Sequence, residues 1–238
     1  VIVRGMQWDP LAGAAAEAED VQESLGDTEY GPVVTYSDSL ALEETFKDVR
    51  RPRILHVATH GYFLKEVDED AATATEAIGG ASFGAARGLG MLRTADNPLL
   101  RSGVILAGAN NIGIEEVEGV DDGWVTAEEI SLMDLRGTEL VVLSACESGL
   151  GDIKSGQSVQ GLRQAFQLAG AQSILSTLYK VPDTETRQIV KSFYGHLRDG
   201  LSTTEALNKA QREMIRQRRE EHGGAHPFFW ASFIAVGS

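Results

Sequence analysis

A nearly unbroken apolar run, ELVVLSAC at residues 139–146, constrains the fold more than any other feature of the sequence. Successive side chains of a strand point to opposite faces of the sheet, so a strand of this kind must be covered on both faces. That is the environment of a central strand in a parallel sheet flanked by helices. Elsewhere helix-like and strand-like runs alternate, as at residues 159–171 and 173–179. The pattern predicts an α/β fold built from βαβ units.

The length and composition fit one domain that spans residues 1–238. Around residues 66–98 the chain is rich in Gly, Ala, Asp and Thr and has no regular periodicity. Long stretches of this kind within compact domains are often functional loops, so we expect a long mobile insert there. The chain opens with VIVRGM and has no initiator methionine, so we also expect it to be part of a longer protein.

Charge and cysteine content argue against several classes of function. A net charge of −14 disfavours direct binding to nucleic acid or to an anionic membrane, because both favour clusters of Lys and Arg. No apolar run approaches the roughly 18 to 20 residues that span a bilayer, and no secretory signal is recognisable. A single cysteine cannot form an internal disulfide, which predicts a reducing, cytoplasmic location. HVATH at residues 56–60 lacks the Glu of a zinc-binding helix, and we expect neither a metal nor a cofactor.

Two strand-like runs end in reactive side chains: RILHVATHG leads to His60, and ELVVLSAC ends at Cys146. Sites in α/β sheets collect at the carboxyl ends of strands. An imidazole there can take the proton of a thiol, and amides in glycine-containing turns can stabilise the resulting oxyanion. Gly61 follows His60, and glycines follow Cys146. A lone cysteine at a strand end is also commonly an inert packed side chain, so both interpretations stay open on these residues alone.

Five segments form a larger pattern along the chain. They are RPRILHVATHGYF, NPLLRSGVILAGAN, TAEEISLMDLRGTELVVLSACESGLGD, VQGLRQAFQLAGAQSILSTLYKVPD and HPFFWASFIAVG. Together, and in this order, they resemble the CHAT family of caspase-like cysteine peptidase domains, which are often attached to arrays of tetratricopeptide (TPR) repeats. The resemblance runs from about residue 10 to residue 237. It implies a caspase-like α/β/α sandwich around a mainly parallel six-stranded sheet.

By position, the resemblance assigns His60 as the general base and Cys146 as the nucleophile of a catalytic dyad. The backbone amides of Gly61 and Cys146 would then form the oxyanion hole. The sequence departs from the family pattern at Gln157 and Ser158, where Glu-Gly is common, but neither position belongs to the dyad. The resemblance also implies a bacterial signalling or defence setting, in which an attached sensor region or an activating partner switches the peptidase on.

Substrate preference is inferred from acidic positions. Caspase-like enzymes that cleave after basic residues have an acid two residues before the cysteine and another after the following strand. Here the first position is Ser144, and the second matches Asp183 in YKVPD. Asp152 is a further carboxylate close to Cys146 in the sequence. The resemblance therefore predicts Arg or Lys at the P1 position of the substrate, although Asp183 could equally be a helix N-cap after Pro182.

The sequence thus predicts a cysteine endopeptidase that acts on protein substrates and is regulated by an attached region, such as a TPR array, or by a partner. The alternative is a catalytically silent caspase-like module that serves as a scaffold or interaction partner.

Overall fold

The computed structural model describes residues 7–63, 98–111, 121–144, 157–179 and 182–237. The strands of these segments are β1 Ile54–Val57, β2 His60–Phe63, β3 Ser102–Ile105, β4 Trp124–Thr126, β5 Leu140–Leu143, β6 Ser173–Thr177 and β7 Phe233–Gly237. The α-helices are α1 Ala12–Leu25, α2 Glu43–Lys47, α3 Pro98–Arg101, α4 Ala127–Ser131, α5 Gln157–Ala169, α6 Asp183–Arg198, α7 Thr203–His222 and α8 Pro227–Trp230. Short 3₁₀ turns occupy Asp38–Leu40 and Ala109–Asn111.

β5 lies inside a four-stranded sheet with the order β1-β5-β6-β7. β1, β5 and β6 are parallel, with Val57 opposite Leu143 at one end of the β1–β5 pair, while β7 runs antiparallel to β6. Every residue of β5 is at most 2% exposed. The prediction of a central, fully buried strand from ELVVLSAC is therefore confirmed.

Alternate side chains of β5 enter two different apolar cores. Val141 and Leu143 pack with residues of α4 and α5 on one face of the sheet. Leu140 and Val142 pack with residues of α1, α6 and α7 on the other face. Helices therefore cover both faces, which confirms the α/β class and explains why the strand is apolar at consecutive positions.

A second sheet, with the order β2-β3-β4, is antiparallel throughout. The described residues thus differ from the mainly parallel six-stranded sheet that we expected, because only β1, β5 and β6 are parallel to one another. The physical reason lies in RILHVATHG, which reads as one strand but leaves the first sheet after Val57. The Thr59 hydroxyl donates to the Ile105 carbonyl of β3, and His60 then opens β2.

The predicted mobile insert at 66–98 lies outside the described residues except for Pro98, which begins α3. Among the helices of the described segments, none combines the length and the apolar character that crossing a membrane requires.

A capping box at the start of α4 provides a test of local stability. The Glu129 N–H donates to the Thr126 hydroxyl at 3.2 Å, and the Thr126 N–H donates back to the Glu129 carboxylate at 2.9 Å. Thr126→Ala removes the cap, so we expect the free energy of unfolding to fall by about 1 kcal/mol, measured as a lower urea midpoint. Thr126→Ser keeps the hydroxyl and should stay close to wild type. An unchanged midpoint for the alanine variant would contradict this account of how α4 begins.

Candidate active site

The predicted dyad segments leave the same edge of the first sheet. Val57 and Leu143 are opposite each other at the carboxyl ends of β1 and β5, and the Ser144 N–H donates to the Val57 carbonyl at 2.9 Å. His60 follows Val57 by three residues, and Ser144 precedes Cys146 by two. Parallel neighbouring strands thus bring together chain segments that are far apart in the sequence.

Of the other predicted site residues, Gly61 belongs to the described part of the chain, whereas Cys146 and Asp152 do not. Gly61 is buried in β2, opposite Val104 of β3. Cys146 and Asp152 lie outside the described residues, so their roles stay predictions. The assignment of the Gly61 amide to an oxyanion hole is likewise a prediction.

The His60 imidazole is held by the segment that precedes α1. Its Nε2 lies 2.7 Å from the carbonyl oxygen of Asp9. A carbonyl oxygen can only accept, so Nε2 bears the hydrogen, and a neutral imidazole in this tautomer has its basic lone pair on Nδ1. The arrangement is chemically suited to a general base, because one nitrogen is used for orientation and the other can accept a proton.

Trp8 and its neighbours fix this segment in place. The Asn110 side chain accepts from the Trp8 N–H at 2.8 Å and donates to the Trp8 carbonyl at 3.0 Å. The centroid of the Trp8 ring lies 5.2 Å from that of the His60 ring. It lies 5.6 Å from that of the Trp124 ring, which it meets edge-on. Sequence reasoning missed Trp8, Asp9 and Asn110, since Asp9 acts through a main-chain carbonyl, for which the residue type gives no signal.

Ser144, a predicted substrate contact, belongs to a buried polar chain. Its hydroxyl donates to Glu17 Oε2 of α1 at 3.0 Å, and Ser144 is 7% exposed. Glu17 Oε1 lies 3.0 Å from His56 Nε2, close enough for an ion-pair contact but without the alignment of a hydrogen bond. His56 Nδ1 in turn lies 2.8 Å from the Tyr194 hydroxyl of α6. Glu17 and Tyr194 were not singled out by the sequence, because their partners lie far away along the chain.

The direction of the hydrogen bonds in this chain follows from burial. Burial raises the pKa of the Tyr194 hydroxyl well above its ordinary value, so this group keeps its proton and donates to His56 Nδ1. That bond leaves Nε2 of His56 as the protonated nitrogen, which faces the Glu17 carboxylate. His56 is therefore a polar link between the sheet and two helices.

Asp183 is the exposed first residue of α6. The N-cap of that helix is Pro182, and no side chain caps it, so the alternative interpretation of Asp183 as an N-cap is wrong. An acid in the first turn is still favourable, because it lies near the positive end of the helix dipole. The side chain packs against Gly13 of α1, where an added Cβ would come within 3.0 Å of it. Segment 8–17 therefore contacts His60, Ser144 and Asp183.

The described residues include no cluster of His, Cys, Asp and Glu that could hold a metal ion. Of the two histidines of HVATH, His56 faces a tyrosine and a carboxylate, and His60 faces a main-chain carbonyl.

Comparison with known proteins places these features in a family context. A family model described as CHAT domain matches residues 2–238. Tetratricopeptide repeat protein 28 of Mus musculus is 33% identical over 108 residues, which cover 45% of this chain and 4% of that protein. The protein of the same name from Homo sapiens is 26% identical over 232 residues, which cover 97% of this chain and 9% of that protein. The chain thus spans less than a tenth of these relatives, and both are mammalian, so they lend no support to the bacterial setting that we expected.

The clamp on Trp8 can be tested directly. Asn110→Ala removes both hydrogen bonds to the Trp8 main chain, and we expect the Trp8 amide to exchange its hydrogen roughly tenfold faster, which corresponds to about 1.4 kcal/mol. Asn111→Ala, at the exposed neighbouring position, is the matched control and should leave the exchange rate unchanged. Equal exchange rates in the two variants would show that Asn110 does not hold the segment.

Proposed function

This chain belongs to the CHAT domain family, as its sequence resemblance predicted, and from that premise we propose that it is a cysteine endopeptidase with His60 as general base and Cys146 as nucleophile. The observation that carries the proposal is the hydrogen bond from His60 Nε2 to the Asp9 carbonyl. It orients the ring and places the basic lone pair of the neutral imidazole on Nδ1.

In the proposed reaction, Nδ1 of His60 takes the proton of the Cys146 thiol as the sulfur attacks the scissile carbonyl. The amides of Gly61 and Cys146 donate to the oxyanion of the tetrahedral intermediate. His60 then returns its proton to the leaving amine, and the peptide acyl group stays on sulfur as a thioester. Water, deprotonated by His60, hydrolyses the thioester and restores the thiol. The Asp9 carbonyl helps throughout, because it stabilises the imidazolium by accepting from Nε2.

We further propose a basic P1 residue, which Asp183 and Asp152 would bind. Ser144 is 7% exposed and its hydroxyl donates to Glu17, which does not favour its predicted contact with the P1 side chain. Asp183 supports this assignment because its side chain is exposed and packs against Gly13, which lies in the same segment that contacts His60. The overall charge of −14 favours the approach of a cationic peptide.

Regulation by an attached TPR region is part of the same proposal. The mouse and human relatives are named as tetratricopeptide repeat proteins, and the chain matches a small part of each. We propose a cytoplasmic protein in which such a region, or a partner bound to it, controls the insert at about 66–98. A caspase-like fold is part of this proposal.

A catalytically silent scaffold module is the second candidate. It is favoured by the names of the two relatives, which mention repeats and no catalytic activity. The two candidates differ in whether the thiol of Cys146 turns over peptide bonds.

Cleavage of peptide substrates distinguishes the peptidase from the scaffold module. The wild-type chain, incubated with a peptide library at neutral pH with and without candidate activating partners, should cleave peptides. Cys146→Ala and His60→Ala should each lower kcat/KM by roughly a thousandfold or more, because nucleophile and base act as a unit. His222→Ala removes an exposed histidine at the end of α7 and should leave the rate unchanged. Absence of cleavage under every condition would favour the scaffold.

The P1 assignment has its own test. Asp183→Asn removes one negative charge from the proposed pocket, so we expect kcat/KM for peptides with Arg at P1 to fall about tenfold relative to peptides with a neutral P1 residue. Asp199→Asn, at the opposite end of α6, is the matched control. An Arg preference that survives Asp183→Asn unchanged would remove Asp183 from the pocket.

A further inference from the structure

Glu17 of α1 contacts one side chain from each of the two strands that lead to the predicted dyad. Its Oε2 accepts from Ser144, which directly follows β5, and its Oε1 lies 3.0 Å from His56 of β1. We propose that Glu17 is a positioning residue, which fixes the carboxyl ends of β1 and β5 relative to each other and thereby sets the geometry between His60 and Cys146. This inference rests on the proposed peptidase function.

The register of the sheet explains how one carboxylate reaches both strands. His56 is opposite Val142 in the parallel β1–β5 pair. Ser144 lies two residues beyond Val142, so the side chains of His56 and Ser144 project on the same face of the sheet. That face is the one covered by α1, on which Glu17 lies between them.

Burial makes this contact geometrically demanding. Glu17 is 5% exposed and lies on α1, which packs against an apolar core. A buried carboxylate is stable only while its partners stay in place, and leaving it unpaired is strongly destabilising. The groups that face it are the Ser144 hydroxyl and the His56 imidazole, and His56 is held in turn by the Tyr194 hydroxyl. The basic side chains of α6 nearest to α1, Arg187 and Lys191, bind Asp20. The Ser144 and His56 contacts therefore constrain each other through one side chain.

Both contacts are short distances along the chain from the proposed reacting groups. Ser144 is two residues before Cys146, and His56 is four residues before His60. The segment that bears Glu17 also contains Asp9, whose carbonyl accepts from His60 Nε2. A shift of α1 at Glu17 would therefore move the base, the strand end before the nucleophile, or both. Misplacement of reacting groups by about 1 Å can lower a rate by roughly a hundredfold.

Asp20 provides a matched control on the same helix. It lies three residues after Glu17 and is 4% exposed, so the two carboxylates are equally buried. Asp20 forms ion pairs with Arg187 and Lys191, and the hydrogen bond from Arg187 lowers its pKa. These contacts join α1 to α6 and do not touch β1 or β5. Loss of Asp20 should therefore weaken helix packing without altering the strand ends.

The experiment compares Glu17→Ala, Glu17→Gln and Asp20→Asn in the full chain, assayed well below the unfolding temperature of each variant. We expect Glu17→Ala to lower kcat about 10- to 100-fold with KM within about twofold of wild type. Glu17→Gln should recover part of that loss, because its amide oxygen still accepts from Ser144. Asp20→Asn should lower the unfolding temperature but keep kcat within about twofold. Equal kcat in Glu17→Ala and Asp20→Asn would overturn the proposal.

A second readout does not need turnover. The side-chain NMR resonances of His60 should shift in Glu17→Ala and stay in place in Asp20→Asn, because only the first variant releases the strand ends. If the wild-type chain cleaves no peptide under any condition, the proposed function fails while these resonances still decide the role of Glu17. Resonances of His60 that are the same in both variants would show that Glu17 does not position the base.

Discussion

The burial of β5 on both faces is the constraint on which the rest of the structure depends. Its alternate side chains enter two cores, so helices must pack on either side of the sheet and the strand must lie between parallel neighbours. β1 then ends beside β5, with Val57 opposite Leu143. That edge is where both segments of the predicted dyad leave the sheet, and it is the edge that α1 reaches with Glu17.

α1 and the residues before it connect the scaffold to the chemistry. One short stretch of chain contacts His60 through a main-chain carbonyl, Ser144 through the Glu17 carboxylate, and Asp183 through Gly13. A region attached before this stretch would be close along the chain to the residues that hold the His60 ring. The proposed control by an attached repeat region would therefore act on the site through this stretch.

The pattern of apolar residues was enough to predict the buried strand and the α/β class, because a strand that is buried on both faces is apolar at consecutive positions. It could not predict the break between Val57 and His60, since the Thr59 hydroxyl bond to β3 is a tertiary contact. The contact of Asp9 with His60 could not be predicted from the sequence either. Asp9 acts through its main-chain carbonyl, a group that every residue has. For Glu17, one partner, Ser144, is 127 residues away along the chain, and the other, His56, lies on β1. The motif predicts a role for His60, whereas the groups that orient its ring could not be predicted from the sequence.

The central claim is that His60 activates the thiol of Cys146 toward a peptide carbonyl. The most direct measurement is covalent labelling with a peptidyl chloromethyl ketone that has Arg at P1, followed by intact-mass analysis and peptide mapping. The account predicts a single adduct on Cys146 in the wild-type chain, formed much faster than the adduct of iodoacetamide, and a large loss of that rate advantage in His60→Ala. Labelling of the wild-type chain and His60→Ala at equal rates, or no adduct on Cys146 with any activating partner, would contradict it.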